Sequence, residues 1–233
     1  LANTPSFDTV GIMARCVEDI ALARAALLDG SEQMVATDKI EQLRIGLCRT
    51  PSWREAEPEA QACLELAAET LDGAGVQVDD TELNELLGGL DELAGLVSGY
   101  EFARTLAHER RVAIQRLSPA LREGRMADGL STSHADYRQA QVELERRRLA
   151  LDEALAGLDL LLCLPAPGAA PEGLDHTGSA AFNQPWTTLH CPAVTLPVFK
   201  HSNGLPLGIQ LVAARGNDAR LLGHARALLQ FLS

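Results

Sequence analysis

The segment Phe182–Pro192 concentrates groups that do chemistry on small molecules. Within eleven residues it carries the amide of Asn183, the indole of Trp186, the hydroxyls of Thr187 and Thr188, and the imidazole of His190. Set at the end of a buried strand, such a loop could line a pocket with apolar walls and a few fixed polar groups. The alternative is a rigid connector that satisfies its own polar atoms. A nucleophile is harder to find. Six histidines are available, but no G-x-S-x-G elbow presents a serine to them. Cys191 beside His190 reads as a Cys–His pair, yet neighbours on an extended chain point to opposite sides. No H-x-x-x-H, H-x-H or C-x-x-C spacing offers a metal site, so no metal is expected.

The elements that must hold this loop read as an alternation of strands and helices. Asn3, Pro5, Asp8 and Gly11 make the opening turn-rich. A helix follows with Val17, Ile20, Ala21, Leu27 and Leu28 on one face, acids Glu18 and Asp19 in its first turn and Gly30 as its stop. Residues 31–42 read as a polar linker. Leu43–Cys48 is β-prone, Pro58 suits a first helical turn, Ala60, Cys63, Leu64, Ala67 and Leu71 recur at helical spacing, and Val76–Val78 begins another strand. That order predicts parallel pairing in an α/β layer fold. Leu83–Leu117 reads as helical. After a hinge at Pro119, Gly124 and Gly129, a long helix opens on Ser133 and Asp136. Its apolar stripe is Tyr137, Ala140, Leu144, Leu151 and Leu155, and Glu143, Glu145, Arg146, Arg147 and Arg148 are expected on a solvated face. Leu158–Leu164 is apolar on both alternating faces, as in a strand buried on both sides. Residues 165–190 form a long loop. Ala193–Val198 and Leu207–Val212 are two more strands, and Asn217 is placed to cap a last helix.

Composition narrows the class. The net charge of −12 disfavours nucleic-acid binding and calls for no membrane partner. No apolar run approaches the roughly 18 residues of a membrane span. Five scattered cysteines fit reduced thiols of a cytoplasmic protein better than a disulfide framework. Lysine is nearly absent: Lys39 and Lys200 stand against eighteen arginines.

Two stretches resemble the amidase signature family. Ser6–Asp19, SFDTVGIMARCVED, is similar to the family's S-x-D-T-x-G-x-M-x-R-x-V-x-D, with Cys16 where a serine commonly caps the next helix. DLLLCLPAPGAAPEG, TGSAAFNQPWTTLHCPAVTLPV and GLPLGIQLVAARGNDARLLGHA resemble the family's C-terminal strands and their loops. Weaker similarity joins the two stretches. His190, Val198 and Ala214 replace common glycines, and Ser179–Ala180 stands in place of D-P. The D-T at Asp8–Thr9 and the P-W-T at Pro185–Thr187 look more like general amidases than like the glutamine-using subunit of a tRNA amidotransferase.

The resemblance implies an α/β fold, a core of mixed strands flanked by helices, incomplete at its N-terminus. It divides the chain into a first segment and helix (1–30), a strand–helix–strand unit with a helical insertion (43–157) and C-terminal core strands with a helix (158–233). It implies hydrolysis of carboxamides without metal or cofactor, and a substrate pocket drawing on Asp8, Thr9, Phe182, Asn183, Trp186, Thr187 and His190. The family's serine nucleophile is activated through a second serine and a lysine. This sequence has no Ser–Ser pair, and neither lysine matches a catalytic position. The expectation is therefore no catalytic residue here, a missing N-terminal catalytic segment as partner, a small-molecule amide as substrate, and no activity of this chain by itself. A non-catalytic binding or assembly protein, or one half of a split amidase, is the alternative. A core left uncovered beside Leu158–Leu164 would favour a homo-oligomer or poor solubility.

Overall fold

The computed structural model describes residues 2–28, 34–37 and 39–233; the helix stop expected at Gly30 lies outside them. A five-stranded sheet forms the middle layer, with strands β1 (Arg44–Leu47), β2 (Gln77–Asp80), β3 (Leu160–Cys163), β4 (Ala193–Lys200) and β5 (Pro206–Val212) in the order β2-β1-β3-β5-β4. β1 is parallel to both β2 and β3, whereas β5 runs antiparallel to β3 and β4. The sheet is thus mixed, as expected. The parallel part follows from the crossover helix α2 (Pro58–Gly73), and the antiparallel part from the short turn between β4 and β5.

Alternation along the strands feeds two cores. Leu160, Leu162 and Leu164 join Ile45, Leu47, Ile209 and Leu211 on one face, covered by α2, by α1 (Val17–Leu27) and by α10 (Asp218–Leu232). Leu161, Cys163 and Val212 join the other face. There they meet α3 (Asn84–Leu87), α4 (Leu90–Thr105), α8 (His134–Leu155) and the short α9 (Gln184–Thr188). Leu160, Leu161 and Leu162 are at most 1% exposed, each contributing roughly 1.5–3 kcal/mol of burial. The uncovered side expected for this strand is therefore absent: the chain closes both faces of β3 itself. Large exposed apolar side chains lie instead at Val10, Met13, Leu22 and Leu27.

Between α4 and α8 the chain forms α5 (Ala107–Ala113), α6 (Pro119–Glu123) and α7 (Arg125–Ser131), so the helical stretch from Leu83 breaks at Gly88–Gly89 and at Leu106. Gly129 packs against Gly99 so closely that a Cβ would strike the Gly99 carbonyl. Ser133 caps α8, accepting the Asp136 N–H at 3.1 Å. Cys16 and Asn217 stand at N-cap positions without a side-chain cap; the Asn217 amide donates to the Ala214 carbonyl instead. Arg146 stays on the solvated face of α8, paired with Glu143 at 2.7 Å. Arg147 and Arg148 do not: Arg147 donates to the carbonyls of Leu86 and Gly88, and Arg148 is buried.

Candidate functional site

The C-terminus of α9 builds the first wall. Its last turn ends in a Schellman arrangement: Cys191 N–H donates to the Trp186 carbonyl at 2.9 Å and His190 N–H to that of Thr187 at 3.2 Å. That motif needs a left-handed residue at its penultimate position, normally glycine. His190 occupies it with φ of 61°, the only described residue other than glycine with positive φ. Trp186 and Cys191 both turn into the core on this face of the sheet. Arg148 on α8 fixes the turn from behind, donating twice to the Thr188 carbonyl at 2.9 and 3.2 Å.

The second wall comes from the other end of the chain. Asp8 accepts the N–H groups of Asn3 at 2.5 Å and Thr4 at 3.1 Å, and Phe7 and Asp8 N–H both return to the Thr4 carbonyl. Residues 3–8 are thereby a compact turn. Arg125 donates to the Thr4 hydroxyl at 2.6 Å. The Ser6 N–H donates to the Glu101 carboxylate at 2.9 Å, and the Ser6 hydroxyl donates to its other oxygen. Tyr137 O–H donates to Glu101 at 2.9 Å.

Between the walls lies a hollow of about 320 Å³ lined by Pro5, Ser6, Phe7, Asp8, Thr9, Thr187, His190 and Cys191. His190 spans it. Its Nε2 lies 2.9 Å from the Ser6 carbonyl and 3.0 Å from Arg148 Nη2. With the proton on Nε2 the ring donates to Ser6; without it the ring accepts from Arg148. A neutral ring serves one partner at a time. Burial, then the charges of Arg148 and Arg215, holds the His190 pKa below its ordinary value, against the Ser6 hydrogen bond and Glu145. Burial, then Asp152, pushes the Cys191 thiol up to about 12, so the Cys191–His190 neighbours form no activated dyad.

Of the residues singled out from sequence, Asp8, Thr9, Thr187 and His190 meet at this hollow. Phe182 and Trp186 are each 1% exposed and anchor the cores on opposite faces of the sheet. Asn183 ties the loop to the strands, donating to the Pro165 carbonyl and accepting from Gln210, both at 2.5 Å. Sequence reasoning passed over Ser6, Glu101, Tyr137 and Arg148. A larger hollow, about 410 Å³, opens at the carboxyl ends of β1 and β2. Its Arg49 is already held by Glu65 and Asp80, and no residue predicted for the site reaches it. No cluster of metal-ligating side chains occurs among the described residues. None of their helices is long and apolar enough to cross a membrane. All five cysteines are free.

A mixed sheet between helical layers defines an α/β domain, and residues 5–9 and 187–191 enclose a hollow on it. The Amidase family profile matches residues 2–222, and the chain belongs to that family. It is 29% identical over 235 residues to 2-amino-5-chloromuconic acid deaminase of Comamonas testosteroni, covering 94% of this chain and 50% of that protein. It is 27% identical over 256 residues to indoleacetamide hydrolase of Agrobacterium vitis, covering 97% and 54%. The crystal structure of an amidase superimposes with a TM-score of 0.86 at 27% identity, covering all of this chain and 55% of that one. The chain therefore spans about half the length of the relatives it matches.

Proposed function

We propose that this chain supplies the scaffold and part of the substrate pocket for hydrolysis of carboxamide C–N bonds to acid and ammonia or amine. The Ser–Ser–Lys groups come, in this reading, from residues outside this sequence, and the setting is cytoplasmic, in accord with five unpaired thiols. Thr9, Thr187 and His190 face the amide, and Asp8 shapes the wall that carries Thr9. One observation carries the reading: residues from the two stretches that resemble the family, about 180 positions apart, meet at one hollow of small-molecule size. The absence of a Ser–Ser pair and the exposed positions of Lys39 and Lys200 support placing the nucleophile elsewhere.

Two measurements on the purified chain test this. A small carboxamide such as benzamide, titrated at millimolar concentration, is expected to perturb the NMR signals of Thr9, Thr187 and His190. Perturbations confined to the larger hollow would overturn the pocket assignment. Release of ammonia from the same amide is expected to be absent. Turnover that disappears on replacing one of the chain's own serines would overturn the assignment of chemistry to other residues.

A further inference from the structure

Glu101 is a buried carboxylate, 9% exposed, without an ion-pair partner among the described residues. The neighbouring cations are directed elsewhere. Arg104 lies over the Tyr100 ring and donates to the carbonyls of Tyr100 and Gly129. Arg125 lies over Phe102 and donates to Thr4. A buried anion is costly unless hydrogen bonds replace its lost water. Here two of its three donors belong to Ser6; the third is Tyr137, whose own oxygen accepts from Gln141 at 2.7 Å. Seating of the N-terminal turn and satisfaction of this charge are therefore one event.

The flanks of the turn contribute little. Ala2 is exposed, and so are Val10 and Met13 after the turn, at 73% and 100%. Besides Glu101, the turn is held by Arg125 on Thr4, by His190 on the Ser6 carbonyl and by Phe7 packed against the core. Few anchors, most of them polar and converging on Ser6, are what a locally detachable segment looks like.

We propose that residues 3–9 form a strap over the hollow and that Glu101 is the positioning residue that seats it through Ser6. With the strap down, the hollow has both walls and Cys191 is covered. With it lifted, the hollow opens to the side and the Glu101 carboxylate is hydrated. This holds whether or not the hollow takes an amide.

The cysteines provide the test. Cys191 lines the hollow, while Cys48 and Cys163 are at most 1% exposed in the core. Burial holds their thiols well above the ordinary range. In the full chain, alkylation by iodoacetamide, read site by site by peptide mass spectrometry, reports strap opening at Cys191 and global opening at the other two. Hydrogen exchange of residues 3–9 is followed in parallel. E101Q keeps the size of the side chain but replaces one acceptor with a donor. It is expected to raise Cys191 alkylation on the order of tenfold, the loss of hydrogen bonds to a charged group, and to speed exchange across 3–9. Cys48 and Cys163 should stay unmodified. S6A should show a smaller rise, and E101Q/S6A no more than E101Q alone, because both act through one contact. Alkylation at Cys191 unchanged in E101Q, a parallel rise at all three cysteines, or additive effects of the two substitutions would each overturn the proposal. Should E101Q not fold, S6A decides: exchange across 3–9 no faster than in the parent chain overturns it.

Discussion

Replacing His190 by alanine and, separately, by glycine divides two effects that the native residue combines. The backbone at 190 is left-handed, with φ of 61°, and the ring reaches Ser6 across the hollow. Alanine deletes the ring but keeps a Cβ, and hence a left-handed penalty of about 1–2 kcal/mol. Glycine removes ring and penalty together, at a cost of about 0.4–1 kcal/mol for the freer unfolded chain. The difference leaves H190G more stable than H190A by about 0.5–1 kcal/mol, the reverse of the order on ordinary backbone. Against the parent, H190A loses one hydrogen bond worth about 0.5–1.5 kcal/mol. H190G should fall within about 1 kcal/mol of the parent, because relief of strain offsets the lost bond. For a chain of this size 1 kcal/mol moves Tm by about 2–4 °C. Thermal melts followed by far-UV circular dichroism, with urea midpoints at constant m-value, resolve that interval. If H190A equals or exceeds H190G, position 190 is not strained and the account of why a glycine belongs there fails.

Three further outcomes follow from the packing and the titrating groups. Leu162→Ala in the central strand, with Leu162 wholly buried, is expected to cost about 2.7–5 kcal/mol, read as a fall in urea midpoint; a loss below about 1 kcal/mol would mean that the two-sided core can collapse onto the gap. Gly129→Ala drives a methyl into the Gly99 carbonyl, so exchange should quicken across Arg125–Ser131 and around Phe102 and Met126 while β3 amides stay protected; unchanged exchange in α7 would refute the close approach. Burial lowers the pKa of both His190 and His224. The unfolded chain then binds protons more readily below about pH 6.5, so their contribution is fully present above that pH and is lost as pH falls through the depressed values. Urea midpoints should decline from pH 7 to 5, and H224Q should flatten the decline; a flat profile in the parent chain would contradict it.

The layers were legible because they follow from periodicity. Leu43–Cys48, the stripe from Ala60 to Leu71 and Val76–Val78 announce a parallel crossover, and the unbroken apolarity of Leu158–Leu164 announces a strand with protein on both sides. The cover for that strand was harder to read. It comes from α1, α2 and α10 on one side and from α4 and α8 on the other, most of them distant in sequence from β3, and strand composition does not say which segments those are. The place of His190 was visible as a departure from a glycine, but its meaning needed the backbone: only the Schellman turn shows that the ring is held where a Cβ is disfavoured.

The two charges that fix the walls of the hollow stand out in the helical period of the sequence. The buried side of α4 runs Leu90, Ala94, Val97, Glu101, and that of α8 runs Ala140, Leu144, Arg148, Leu151, Leu155. Both keep the three- and four-residue spacing of a core stripe, and each carries one charge where an apolar side chain is due. In a helix crowded with Glu and Arg, Arg148 blends into its neighbours Arg146 and Arg147, although it alone lies on the stripe. A charge at a core position is expensive unless something polar is fixed against it. Glu101 fixes Ser6 on one wall, and Arg148 fixes the Thr188 carbonyl on the other. The useful signal was thus a break in period rather than a motif. Both breaks point to the same hollow, because the helices that cover β3 also fix the two chain segments that enclose it.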